Sequence, residues 1–279
     1  MIVVTGATGN VGRVLVESLA KAGERVTAVS RGTMPVVVPG GVRHVVADLA
    51  EPETLRPAAD GADAMFLLVP GAGAHLAPAG ILDVAKAGGV RRIVLLSSQA
   101  AGTRPQSVSH APLRGIEDVV RGSGMAWTIL RPGGFHSNVY AWANPIRSAR
   151  IAAAPFGDVG LPLVDPADIA DVAAAVLRDD RHAGRIYELT GPALTTPRER
   201  ARVLAEALGD PIRFVEQTPE QAREQMLAFM PEPVAEGTLA ILGAPLAAEQ
   251  RISPHVQEVL GRSPRSFEDW ARHNIDAFR

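Results

Sequence analysis

The 279-residue chain has no cysteine, two lysines, two tyrosines and only 4% aromatic residues. Without cysteine there is no disulfide, no thiol nucleophile and no thiolate metal ligand. None of the seven histidines stands in a metal-ligand spacing, so no metal is expected. No apolar run approaches the ~18 residues that a membrane-crossing helix needs. The net charge of −2 gives no electrostatic case for a nucleic-acid partner or an anionic membrane. There is no Gly-x-Ser-x-Gly elbow of the hydrolase kind. No basic leader precedes the first apolar run, so a cytoplasmic location is expected. The composition, 47% apolar and 21% charged, is that of an ordinary globular protein with a sizeable core.

What the chain does have is organised around its first twelve residues, Met1-Ile-Val-Val-Thr-Gly-Ala-Thr-Gly-Asn-Val-Gly12. An apolar run breaks into glycines at 6, 9 and 12 and restarts as a helical pattern, with Val11, Val14, Leu15, Ser18, Leu19 and Ala22 on one face. Strand, tight turn and helix in that order are the layout of a dinucleotide-binding βαβ unit. Gly6 permits the sharp turn, Gly9 lets the backbone approach a pyrophosphate, and Gly12 lets helix and strand pack closely. The free N–H groups of the helix start then face the phosphates.

Apolar segments follow at 25–29, 42–47, 64–69, 92–97 and 126–130, separated by helical patterns around Leu55 and over 77–87 and 112–121. Strands this apolar require a parallel sheet covered on both faces. The expected fold is therefore α/β, a Rossmann-type doubly wound sheet over residues 1–150, with the glycine turn at its switch point. Residues 151–279 are expected to form a smaller α/β substrate lobe, the chain crossing between the two. Asp165-Pro-Ala-Asp168 opens a helix, 185–190 and 212–216 read as strands, and Thr196-Pro-Arg-Glu199 and Thr218-Pro-Glu-Gln221 are capping boxes. A last helix begins at Ser266. Residues 231–245 read as irregular, and 100–109 as a loop.

The end of the second strand selects the cofactor. An NAD site places an acid there for the ribose hydroxyl; this chain has Val29-Ser30-Arg31, and an arginine pairs with a 2′-phosphate. NADP(H) is expected over NAD(H). Arg13 is a second phosphate contact or a helix-surface residue. Asp48 accepts from the adenine amine or caps the following helix.

Thr5-Gly-Ala-Thr-Gly-Asn-Val-Gly12, Val94-Leu-Leu-Ser-Ser98, Ile116-Glu117, Thr128-Ile-Leu-Arg-Pro-Gly-Gly-Phe135 with Asn138, Val164-Asp-Pro-Ala-Asp-Ile-Ala170 and Tyr187-Glu-Leu-Thr-Gly191 together resemble the NmrA-like atypical short-chain dehydrogenases/reductases. That family includes type 2 quinone oxidoreductases, isoflavone-reductase-like enzymes and regulators that bind NADP without turning it over. The resemblance implies that Thr5, Gly6, Thr8, Gly9, Asn10, Val11 and Gly12 form the pyrophosphate turn and that Arg31 meets the 2′-phosphate. It places Leu68, Val69 and Pro70 at the ribose, and Pro132, Gly133 and Phe135 near the nicotinamide. Asp48, Leu49 and Ser97 complete the candidate cofactor set.

The short-chain reductase pair of a tyrosine and a lysine four residues later is absent: neither Tyr140 nor Tyr187 has one. In the corresponding stretch stands His110-Ala-Pro-Leu-Arg114, a titratable group and a cation at the same spacing. His110 is a proton donor or an exposed loop histidine. His136, beside the nicotinamide loop, faces a ligand or is a hydrogen-bonded structural residue. Ser98, like Ser97, is placed to hold a substrate carbonyl. Glu117 is expected in an ion pair or a backbone contact, Asp168 at its helix start, and Asn138 as a loop tie. Trp142, Phe156, Met226 and Phe229 are candidates for pocket lining or, more simply, ordinary core residues.

The leading expectation is an NADP(H)-dependent oxidoreductase passing hydride to an apolar quinone, enone or carbonyl compound, as monomer or homodimer. Hydride transfer needs mainly positioning and dryness, so it survives loss of the tyrosine. The alternatives are an NADP-sensing regulator without turnover and an isomerase or epimerase with bound cofactor.

Overall fold

The computed structural model describes residues 1–32, 36–69, 71 and 73–279. Seven strands form one sheet in the order β3-β2-β1-β4-β5-β6-β8, every pairing parallel. They are β1 (Ile2–Val4), β2 (Val26–Ser30), β3 (Arg43–Val46), β4 (Ala64–Leu68), β5 (Arg92–Leu96), β6 (Ala126–Pro132) and β8 (Arg185–Leu189). Between them run α1 (Gly12–Lys21), α2 (Arg56–Ala59), α3 (Pro78–Ala87), α4 (Gln99–Thr103), α5 (Ala111–Gly122), α6 (Ala143–Ala149) and α7 (Pro166–Leu177).

The apolar runs give this sheet because their alternate residues enter two different cores. In β4, Ala64 and Phe66 join the cluster under α1 and α7, while Met65 and Leu67 join the one under α3 and α5. β5 divides in the same way, Val94 and Leu96 against Ile93 and Leu95. A strand buried on both faces has no polar positions to alternate with. Strand order reverses between β1 and β4, and there the glycine turn sits.

A smaller parallel pair, β7 (Ile151–Ala154) with β9 (Arg213–Glu216), lies apart from the main sheet. The later helices are α8 (Pro197–Leu208), α9 (Pro219–Leu227), α10 (Glu232–Gly243), α11 (Ala247–Gln250), α12 (His255–Leu260) and α13 (Phe267–Asn274); α8 and α13 pack with this pair's region, whereas α12 packs on α7 and β8 and α11 on α4. Trp142, Ile146, Val203, Leu204, Phe267, Trp270 and Phe278 form this region's core. Residues 166–189, read as part of the second lobe, supply α7 and the last strand of the main sheet.

Two local expectations are corrected, and one strand, β7, is not foreseen from the sequence. Residues 99–103, read within or beside a loop, are helical, because the Ser98 hydroxyl caps the turn by accepting from Ala100 N at 3.3 Å and Ala100 and Ala101 are buried. β7 has no β-branched run to announce it; its pairing with β9 forms it. Residues 232–243, read as irregular, are the helix α10, whose two glycines mark close approaches. A Cβ on Gly237 would stand 2.3 Å from Ser109 Oγ, and one on Gly243 would meet the Phe156 ring at 2.5 Å.

Candidate active site

The dinucleotide turn is built as the glycine spacing requires. Gly6 has φ +63°, the left-handed region that side chains avoid. A Cβ on Gly12 would lie 2.2 Å from Gly6 O, so α1 can start against the turn only with glycine there. Thr8, Gly9 and Asn10 are exposed at the crest. Among the described residues, the amides of Asn10, Val11 and Gly12 donate to no protein acceptor. Unpaired N–H groups at a helix start form an anion cradle, with the helix dipole adding to the attraction. Val11 is itself buried beneath them.

Thr5 has a different task from its neighbours. Its hydroxyl accepts from Leu68 N at 2.8 Å and lies 3.1–3.2 Å from the carbonyls of Leu68 and Phe66, so it locks β1 to β4. Asn10 reaches across the cleft and donates to Ser137 Oγ at 3.0 Å. That bond joins the turn to the loop after β6. The tie expected from Asn138 is thus made by Ser137; Asn138 is exposed and contributes a main-chain bond to Phe135.

Arg31 follows the last residue of β2 and is exposed, and among the described residues it forms no ion pair. Ser30 beneath it is fixed by its hydroxyl contact with His44 Nε2 at 2.9 Å. Asp48 accepts from Ala50 N at 2.9 Å, closing a turn with one carboxylate oxygen, while Leu49 is buried. Arg13 pairs with Glu17 on the helix surface at 3.3 Å. Leu68 is half-buried and Val69 is buried at the end of β4; Pro70 lies outside the described residues.

On the other side of the cleft, Pro132 ends β6 and Gly133 N bonds Leu189 O at 3.0 Å. Gly134 and His136 bond Val164 through their main chains, which holds Phe135 in extended conformation against the main core. Gln99 stands at this loop, its Oε1 3.4 Å from where a Gly133 Cβ would be. Neither Gln99 nor Ser137 carries a pattern by which sequence alone singles it out.

Ser97 is withdrawn from the cofactor. Its hydroxyl donates to Glu117 Oε1 at 2.6 Å, and Glu117 also takes Arg131 at 2.5 and 2.9 Å and Arg121 at 2.8 Å. Burial pushes the Glu117 carboxyl up, but the bonds from Arg131 and Ser97 and the two guanidinium charges outweigh it and hold the pKa below its usual value. The ion pair expected of Glu117 is therefore a buried network joining β5, α5 and β6. Asp168 stands in the first turn of α7, at the helix start as expected, and it is also fully buried and clamped by Arg262 at 2.7 Å and by Arg265.

Of the catalytic candidates, His110 is half-buried immediately before α5, with Nδ1 2.9 Å from Ser109 Oγ. Its Nε2 has no protein partner among the described residues. Burial first, then the charges of Arg114 and Arg104, lower its pKa, with Glu249 opposing. Ser98 remains half-buried at the start of α4.

His136 turns out of the cleft, which corrects its candidacy as proton donor. It is 1% exposed, edge-on to Phe267 with ring centroids 5.3 Å apart, and neither ring nitrogen has a partner or solvent contact. Nor is it the hydrogen-bonded alternative: the Arg265 main chain lies near enough to raise its pKa but makes no bond of good geometry. Burial dominates and pushes the pKa down to about 4. Trp142 likewise belongs to the second core, its Nε1 donating to Ala153 O at 2.8 Å, whereas Phe229 is largely exposed and Phe156 packs on α10.

α10 crosses this part of the molecule. Its sequence is mostly apolar, yet Ala235 is its one buried residue, and Gly237 rests on Ser109 beside His110. Among the described residues no group of histidines and acids is arranged to hold a metal, and no helix is long and apolar enough to cross a membrane.

Comparison with known proteins agrees with this geometry. A family model described as NAD(P)H-binding matches residues 6–180. The chain is 39% identical to a (4-alkanoyl-5-oxo-2,5-dihydrofuran-3-yl)methyl phosphate reductase of Streptomyces griseus, over 100% of this chain and 99% of the relative. It is 32% identical to an NAD(P)H azoreductase of Xenophilus azovorans over the same shares. The solved NADPH-dependent quinone oxidoreductase of Escherichia coli, in complex with NADPH, superposes with a TM-score of 0.80 at 24% identity, covering 98% of this chain and 99% of that one. The chain belongs to the NAD(P)H-binding family, an oxidoreductase built on a Rossmann sheet.

Proposed function

We propose that the protein is an NADPH-dependent reductase that delivers hydride to a polarised double bond, in an enone, quinone or carbonyl compound of modest size. The observation that carries this reading is the anion cradle of Asn10, Val11 and Gly12 at the switch point, with Arg31, which forms no ion pair among the described residues, at the end of β2. The cradle suits a pyrophosphate, and a bidentate guanidinium suits a 2′-phosphate. The relatives named as reductases support the reaction class, and the oxo-dihydrofuran in one of their names favours the enone. The apolar, half-exposed α10 beside His110 suits an apolar substrate.

NADPH supplies the hydride, and the chain positions the acceptor and excludes water. In the tautomer in which Nδ1, 2.9 Å from Ser109 Oγ, accepts from that hydroxyl, the neutral imidazole of His110 carries its proton on Nε2 and hydrogen-bonds the acceptor oxygen as negative charge builds on it. Solvent then supplies the proton that completes reduction. The lowered pKa of His110 keeps it neutral at pH 7, in keeping with hydrogen bonding rather than full proton transfer.

The test is NADPH consumption with a panel of enones, quinones and aldehydes. Turnover with an enone, reduced by about tenfold or more in His110→Ala at saturating NADPH, supports the reading. Tight NADPH binding with no turnover on any acceptor replaces it with the regulator, which the missing tyrosine–lysine pair favours.

A further inference from the structure

Behind the 133–137 loop, on the side away from the dinucleotide turn, lies a cavity of about 140 Å³. The 192–195 segment, α8 and the start of α13 line it, and His136 is its single contribution from the nicotinamide loop. Phe135 is extended and His136 opens the short 3-10 helix His136–Trp142, so the two side chains part there. Phe135 faces the main core, and His136 faces this cavity and the second core.

Arg200 is the group here that lacks a counterpart. It lines the cavity, nine-tenths buried, and its one hydrogen bond is from Nε to Thr196 O at 3.3 Å. Its two terminal nitrogens have no acceptor among the described residues, and the guanidinium carbon sits 5.9 Å from the Trp142 ring. Even with burial lowering its pKa to about 10, it is charged at neutral pH. Burying such a charge without a counter-ion is strongly unfavourable. Among the described residues no carboxylate forms an ion pair with it. Glu199 supports its charge only at a distance, since its carboxylate turns back to accept from Thr196 N at 2.8 Å in the capping box; Arg202 pairs with Glu206, and the exposed Glu268 forms no ion pair among the described residues. Beside Arg200, the His136 ring lines the same wall, its two nitrogens withheld from solvent. The space is roughly ten times the ~10–15 Å³ one water needs, ample for a tetrahedral or trigonal oxyanion.

We propose that this cavity is a binding site for a small oxyanion, a phosphate or carboxylate group, held by the Arg200 guanidinium behind the nicotinamide loop. Through His136 and Ser137, its occupant is one residue removed from the bond to Asn10. The site is independent of which acceptor the protein reduces.

The test uses the full chain saturated with NADP⁺, so that the dinucleotide cradle is filled, with inorganic phosphate and acetate as probes and chloride at matched ionic strength as control. The His136 ring signals are followed by NMR in histidine-labelled protein. A saturable, millimolar shift with phosphate alone assigns a phosphoryl site, and one with acetate alone a carboxylate site; both support the proposal. Arg200→Met should weaken binding by about tenfold or more, through loss of charge-assisted hydrogen bonds. No shift with either probe, an equal shift with chloride, or undiminished binding in Arg200→Met overturns it. Should Arg200→Met fail to fold, the wild-type titration decides alone.

Discussion

Two residues carry opposite relations between charge and surroundings. Arg31 is an exposed cation awaiting a partner, and Arg31→Asp is expected to move the preference from NADPH toward NADH by about tenfold or more, measured as the ratio of kcat/KM for the two cofactors. An unchanged ratio removes Arg31 from the 2′-phosphate. His136 is a neutral ring that cannot be charged without loss. Its pKa falls from 6.5 unfolded to about 4 folded, so the unfolded chain binds the extra proton first. The stabilisation is complete above pH 6.5 and is lost as pH drops toward 4, by roughly 3 kcal/mol. Urea titrations across that window should show the slope in wild type and a flatter one in His136→Phe. Neither outcome depends on catalysis. Arg31 was legible from sequence, because its position is set by counting from the glycines. His136 was not: a histidine next to a cofactor loop looks the same whichever way the backbone points its ring.

Single elements here were legible in proportion to how much of their cause is local. α8 was readable because Thr196 and Glu199 cap it reciprocally, at 3.1 and 2.8 Å. Thr196→Ala is expected to lower stability by about 1 kcal/mol in chemical denaturation. The glycine turn was readable for the same reason: its glycines answer to steric contacts within a dozen residues. Gly12→Ala forces a methyl to within 2.2 Å of Gly6 O, and should both destabilise the fold by about 1–3 kcal/mol and weaken NADPH binding in a fluorescence titration. β7, by contrast, pairs with a strand far along the chain, and Ile151-Ala-Ala-Ala154 has no strand preference of its own to reveal it. Ser137 escaped notice likewise, because its partner is Asn10, 127 positions away.

At the scale of the whole molecule, the sheet followed from its apolar runs, and strand direction from the lengths between them. The second region did not follow as readily, since its core is assembled from α6, α8 and the last helix together. Phe267, Trp270 and Phe278 are at most 3% exposed there, and the neighbouring Arg262 and Arg265 neutralise the buried Asp168. A chain ended before Arg262 loses all of these. It should bind a hydrophobic dye and lose cooperative unfolding, whereas a chain lacking Arg279 alone should match the wild type. Cooperative melting of the shortened chain would mean that the main sheet folds without its companion.

The strand order also bears on how the molecule is made. β1 emerges first and ends in the interior of the sheet, and each later strand of that sheet finds its neighbour already synthesised: β2 on β1, β3 on β2, then β4 on β1, β5 on β4, β6 on β5 and β8 on β6. Growth proceeds outward from the first strand in both directions, and no sheet strand waits exposed for a partner still inside the ribosome. β7 is the exception, because β9 follows it by two helices. Its run of alanines, short and weakly apolar, leaves little for another chain to seize during the delay.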